Sequence, residues 1–129
     1  MDKIREVRLK RAYEAPDADD GCRVLVDRLW PRGVAKAAAR LDLWLRDLAP
    51  SAPLRQWYGH REERWAEFRR RYFAELRASA AARAALGELG AAAAGRTLTL
   101  VFASREAERC NAAALREYLR RSRRVAAGG

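Results

Sequence analysis

Cysteine is scarce in this 129-residue chain: Cys22 and Cys110 are the only two, and they lack the C-x-x-C spacing of zinc and redox motifs. With His60 the lone histidine, cysteine and histidine together fall short of the four ligands an ordinary zinc site takes. No metal site is therefore expected, and the two thiols are read as reduced. No apolar run approaches the roughly 18 residues that would suggest a membrane span. Met1 to Lys10 alternates charged and apolar side chains where a signal peptide would be apolar. The expected setting is the cytoplasm, with no membrane partner. Also missing are a Gly-rich phosphate loop, a nucleophile elbow, a metal-binding histidine pair, internal repeats and an interdomain linker. These absences disfavour most familiar enzyme classes and give no reason to expect a cofactor.

Lysine is scarce as well, at positions 3, 10 and 36 only, so the formal net charge of +10 is carried almost entirely by arginine. Residues 1–60 hold 12 Lys+Arg against 9 Asp+Glu, and residues 61–129 hold 15 Arg against 8 Glu. The basic excess sits mainly in the second half. It makes nucleic acid a secondary candidate partner, with Arg69, Arg70, Arg77, Arg116, Arg120, Arg121, Arg123 and Arg124 as phosphate contacts. Half of the residues are hydrophobic and 34% are charged, a globular rather than a disordered composition. The length suits one domain spanning residues 1–129.

Ile4, Val7 and Leu9, with charges between them, predict an edge strand running into Lys10 and Arg11. After Pro16 and the acidic turn Asp17 to Gly21, the short β-branched run Cys22 to Val26 predicts a buried strand. A loop holds Pro31 and Gly33, and Ala35 to Arg40 are strong helix formers. Leu41 to Leu48 fits neither template. Ser51 stands at an N-cap with Pro53 in the first turn of a helix through Tyr58, and Gly59 ends it. Trp65, Phe68, Tyr72 and Leu76 recur at helical spacing and predict an amphipathic helix whose aromatics serve packing. Ser79 to Ala94 predicts a second helix, with Gly87, Gly90 and Gly95 as breaks. Thr97 to Phe102 predicts a strand, Ser104 a cap for a helix from Arg105 to about Arg121, and Gly128 and Gly129 a frayed tail. Strands alternating with helices indicate an α/β fold with a small, largely parallel sheet covered by helices.

In such sheets ligands bind beyond the carboxyl ends of the strands. Two ends are legible, Asp27 to Gly33 and Ala103-Ser104, and they face one space if their strands are parallel neighbours. Arg28, Arg32 and Arg55 would then offer guanidinium forks, Trp30 a stacking face, and the start of the last helix, with Ser104 and Asn111, a positive end. That combination suits a small phosphate or carboxylate ligand. Arg28 could equally pair with Asp27 or Asp42, and Trp30 could simply close the core. If the domain is an enzyme, His60 or Asp27 would move the proton and Asn111 would orient the substrate. His60 could also cap the next helix or lie in solvent. Lys10, Arg11, Ser51 and Trp57 are further candidates, and Cys110 is read as a buried thiol.

The run Asp20-Gly21-Cys22-Arg23-Val24-Leu25-Val26-Asp27-Arg28-Leu29-Trp30-Pro31-Arg32-Gly33-Val34, preceded by Lys10-Arg11-Ala12-Tyr13-Glu14, resembles the YeaO-like proteins, the short branch of the grouping called domain of unknown function 488. The likeness continues through Ala49-Pro50-Ser51, Leu54 to His60, Trp65 with Phe68 and Tyr72, Thr99 to Ala103 and Asn111. It implies a small bacterial α/β protein whose hallmark is the Arg-Trp loop, and it brings no assigned activity or catalytic residues. Members often read Asn-His-Ala near the start of the last helix, where this chain has Asn111-Ala112-Ala113. A mechanism that needs that imidazole is thereby put in doubt, and His60 is not assumed to replace it. The chain shows no helix-turn-helix segment of the kind transcription factors use.

Overall fold

The run expected to be a buried strand, Cys22 to Val26, and the strand expected at Thr97 to Phe102 become the centre of the sheet. The computed structural model, which describes residues 2–127, contains β1 (Glu6–Arg11), β2 (Cys22–Leu25), β3 (Leu43–Trp44) and β4 (Thr97–Phe102), hydrogen-bonded in the order β1-β4-β2-β3. Every adjacent pair is parallel, with Leu9 opposite Leu100, Val24 opposite Leu100 and Leu25 opposite Trp44. The helices are α1 (Lys36–Ala39), α2 (Ala52–Tyr58), α3 (Trp65–Ala78), α4 (Ala80–Ala92) and α5 (Asn111–Arg121). Together they make a single small α/β domain. The tail expected at Gly128 and Gly129 lies outside the described residues. Among the described residues no helix is long and apolar enough to cross a membrane.

Alternation along the central strands sorts their side chains onto two faces. Cys22, Val24 and Val26, with Leu98, Leu100 and Phe102, join the main core, where Phe68, Tyr72 and Leu76 of α3, Leu86 and Leu89 of α4, and Leu115 and Leu119 of α5 meet them. Arg23, Leu25, Thr99 and Val101 lie between these positions and are buried too. That second face is closed by short segments. The Thr99 hydroxyl donates to the Asp20 carbonyl in the 3-10 turn Ala18–Asp20, and the Arg23 guanidinium donates to the Ala39 carbonyl at the end of α1. The long helices therefore cover one face only, with turns and the single-turn α1 covering the other.

Two expectations shift, and one open stretch gains structure. The helix expected from Arg105 begins at Asn111, with Cys110 at its N-cap. The Ser104 hydroxyl instead accepts from the Glu106 backbone N–H, closing a local turn. Gly87 and Gly90 do not break α4, which runs through both. Leu41 to Leu48 resolves into the two-residue β3 and a 3-10 turn, Arg46–Leu48. The boundaries of α2 fall where its caps put them. Ser51 accepts from the Leu54 N–H at the start of α2, and Gly59 ends that helix in the left-handed region at φ 51°.

Candidate functional site

Because all four strands run the same way, their carboxyl ends open on one edge of the sheet. β2 and β4 are direct neighbours, so the loop after β2 and the segment after β4 rise side by side. Asp27 ties them together. One carboxylate oxygen accepts from the Ala103 N–H at 2.8 Å, the other accepts from the Asn111 side-chain amide at 3.1 Å, and that amide also donates to the Val26 carbonyl. The Asp27 backbone carbonyl accepts from the Trp44 indole at 2.8 Å. The ends of β2, β3 and β4 and the first turn of α5 are thus fixed to one another.

Above this junction lies a cleft of about 590 Å³, within the range of small-molecule sites. Asp27, Arg28, Trp30 and Arg32 reach it from the β2 loop, Arg55 from α2, His60 from the turn after α2, Ser104 from the segment after β4, and Asn111 from α5. All eight leading candidates from the sequence line this one space. Lys10, Arg11, Ser51 and Trp57 do not line it. Lys10 pairs with Asp20, Ser51 binds Glu75, the Trp57 ring lies under the guanidinium groups of Arg64 and Arg71, and Arg11 donates to the Ser104 carbonyl from outside. Two open questions about the loop are settled by geometry. Arg28 pairs with neither Asp27 nor Asp42. Trp30 is held as a wall, its indole N–H donating to the Val34 carbonyl at 2.6 Å and its ring meeting Trp44 edge-on at 5.5 Å.

The electrostatics are uneven. Among the described residues no carboxylate lies within ion-pair distance of Arg28, Arg32 or Arg55, although such pairs form elsewhere on the surface. The Nε of Arg28 is buried without an acceptor, a costly state for a cationic donor. Burial pushes the Asp27 carboxyl up from its ordinary range, opposed by the Ala103 and Asn111 hydrogen bonds and by the positive charge of Arg55. Burial also raises the Cys110 thiol, which makes it a poor nucleophile. His60 is exposed and sits at φ 58°, a left-handed conformation in which histidine is one of the better-tolerated residues. Among the described residues no cluster of three metal-ligating side chains is present.

The cleft also uses residues the sequence did not flag. Tyr13 and Leu29 stand at its mouth, while Tyr58, Phe68 and Cys110 form apolar parts of its wall. Tyr13 follows β1 as Asp27 follows β2, so the strand-end rule points to it once the sheet is known to be parallel. Phe68 carried a core-packing signal, which it satisfies by stacking on Tyr58 at 4.4 Å. The Tyr58 hydroxyl donates to the Arg109 carbonyl at 2.7 Å and anchors the segment before α5.

A parallel α/β domain with an arginine-lined cleft over its strand ends is the class these features define. A family model described as the inactive DUF488-N3 subclade matches residues 6–127, and the chain belongs to that family. Two relatives illustrate the spread. An uncharacterised protein of Mycobacterium tuberculosis is 47% identical over 118 residues, covering 90% of this chain and 97% of its own. The uncharacterised protein YeaO of Escherichia coli is 34% identical over 114 residues, covering 88% of this chain and 96% of its own. No solved structure gives a significant match.

Proposed function

We propose that this protein binds a small anion, a phosphate or a carboxylate, in the cleft and releases it unchanged, with the cytoplasm as its setting. The observation that carries the reading is that Arg28, Arg32 and Arg55 line one cleft, Arg28 also bordering a second cavity beside Asp47 and Glu75, with no carboxylate within ion-pair distance of any of them among the described residues. A planar guanidinium fork matches a phosphate or carboxylate. Two of the groups that could do chemistry are otherwise engaged, while His60 stays exposed on the cleft lining. Asp27 accepts hydrogen bonds at both oxygens, Cys110 is held as a thiol, and position 112 carries a buried alanine. The description of the family as inactive agrees with binding without turnover.

The competing nucleic-acid reading rests on a surface that is ion-paired in part, Arg69 and Arg121 with Glu117 and Arg70 with Glu67. A thermal-shift panel of phosphate, small carboxylates and short oligonucleotides at fixed ionic strength tests both readings on wild type and Arg32→Ala. A ligand at 100 times its Kd adds about 2.7 kcal/mol, which moves the midpoint of a domain this size by roughly 10 °C. The expected result is a shift with a small anion that Arg32→Ala loses. A small-anion shift retained in Arg32→Ala, or no shift with any small anion, overturns the proposal.

A further inference from the structure

Two large hydrophobic side chains stand exposed among the described residues, Tyr13 at 50% and Leu29 at 70%. Single exposed apolar residues are ordinary on protein surfaces and need no explanation. These two come from separate loops, after β1 and after β2, yet both line the same cleft beside Arg28, Arg32 and Arg55. Two of the other aromatic rings of that cleft have little face to spare. Tyr58 and Phe68 are 5% and 1% exposed and stack on each other, and Trp30 is fixed by Val34 and Trp44. Free apolar area and unpaired positive charge therefore coincide at one mouth.

We propose that the ligand is an aromatic anion, a planar ring bearing a phosphate or carboxylate, whose charged group is held by the arginines while its ring packs on Tyr13 and Leu29. This rests on the anion-binding reading above and narrows it to a chemical class. An inorganic anion leaves both apolar side chains in water. A ring attached to that anion covers them, and it offers Tyr13 an offset or edge-on partner. The Arg11 guanidinium lies 5.2 Å from the centre of the Tyr13 ring, helping to hold that ring in place. A cleft of about 590 Å³ accommodates one ring together with its acidic group.

Titration calorimetry with matched pairs, phenyl phosphate against methyl phosphate and benzoate against acetate, separates the two levels of the argument. The wild type is expected to bind the aromatic member of at least one pair about tenfold more tightly, equivalent to about 1.4 kcal/mol. Tyr13→Ala and Leu29→Ser, both at exposed positions that leave the core intact, are expected to erase most of that preference while binding the small member unchanged. The phosphate and carboxylate pairs reveal which acid the arginines select. Equal binding of the aromatic and small members overturns this proposal and leaves the anion reading standing. A preference that persists in both rim variants also overturns it. Failure of all four probes to bind the wild type overturns the anion reading and this proposal with it.

Discussion

Asp20 and Arg23 are charges in an otherwise apolar interior, 5% and 4% exposed. Their guanidinium–carboxylate contact is 2.7 Å, Lys10 reaches the same carboxylate at 3.0 Å, and the Asp17 N–H also donates to it. Burial alone raises the Asp20 carboxyl, but the hydrogen bonds from Lys10, Asp17 and Arg23 outweigh it and hold the group below its ordinary range. Asp20→Ala leaves Arg23 charged and without its partner, and is expected to cost about 3–5 kcal/mol in urea denaturation. The pH dependence follows from the direction of the shift. A carboxyl that titrates lower in the folded state contributes its full stabilisation above the unfolded value, and loses it as pH falls through the folded one. Wild type should therefore lose stability in acid more steeply than Asp20→Asn. Parallel slopes from pH 6 to pH 2 would remove Asp20 from the account. None of this was legible beforehand, because Asp17, Asp19 and Asp20 are chemically alike in the turn and only the tertiary position of Arg23 and Lys10 selects one to enter the interior.

Glycine separates what an element needs from what it tolerates. Gly21 sits at φ 65°, and a Cβ there would come within 2.3 Å of the Thr97 carbonyl oxygen, so the turn into β2 requires glycine on both conformational and steric grounds. Gly87 lies in the interior of α4 with nothing within 4 Å of a Cβ. An exposed helical glycine costs about 0.5–1 kcal/mol relative to alanine. Gly87→Ala is expected to stabilise by that amount in chemical denaturation, and Gly21→Ala to destabilise by clearly more than 1 kcal/mol; a reversal of either sign would refute the assignment. The same reasoning explains why Gly87 and Gly90 read as breaks in the sequence. Their local cost is real, but Ala82, Ala85, Leu86 and Leu89 are buried on the helix's inner face and carry it through. β3 escaped notice because two residues are too few to show a period, and its pairing with β2 is what makes it a strand. The start of α5 was misplaced because a serine that closes a turn on Glu106 has the same local signature as one that caps a helix.

At the scale of the whole molecule, the candidate site was more legible than several of the elements that build it. The Arg-Trp loop and the segment after β4 could be assigned to one space from a single topological condition, parallel neighbours, and the pairing of β2 with β4 meets it. The apolar rim was not legible, since Tyr13 and Leu29 come together only when the ends of β1 and β2 are placed on the same edge. Net charge, by contrast, is visible in the sequence but says little about where an anion binds. Of the +10 formal charge, the arginines of α3 and α5 that interleave with Glu67 and Glu117 are partly neutralised in place. Binding of duplex DNA through this diffuse field should be weak, with log K falling by about 0.9 per phosphate contacted for each tenfold rise in salt. Binding of a small anion in the cleft, held by three charges, should fall more gently. Fluorescence anisotropy with labelled DNA, set beside calorimetry with the small anion across 50–300 mM salt, compares the two slopes. Arg32→Ala is expected to reduce the second affinity at least tenfold and to leave the first nearly unchanged. If the two affinities instead fell together in that variant, the cleft and the basic surface would be one electrostatic site, and the distinction between pocket and field drawn from the ion-pair pattern would be lost.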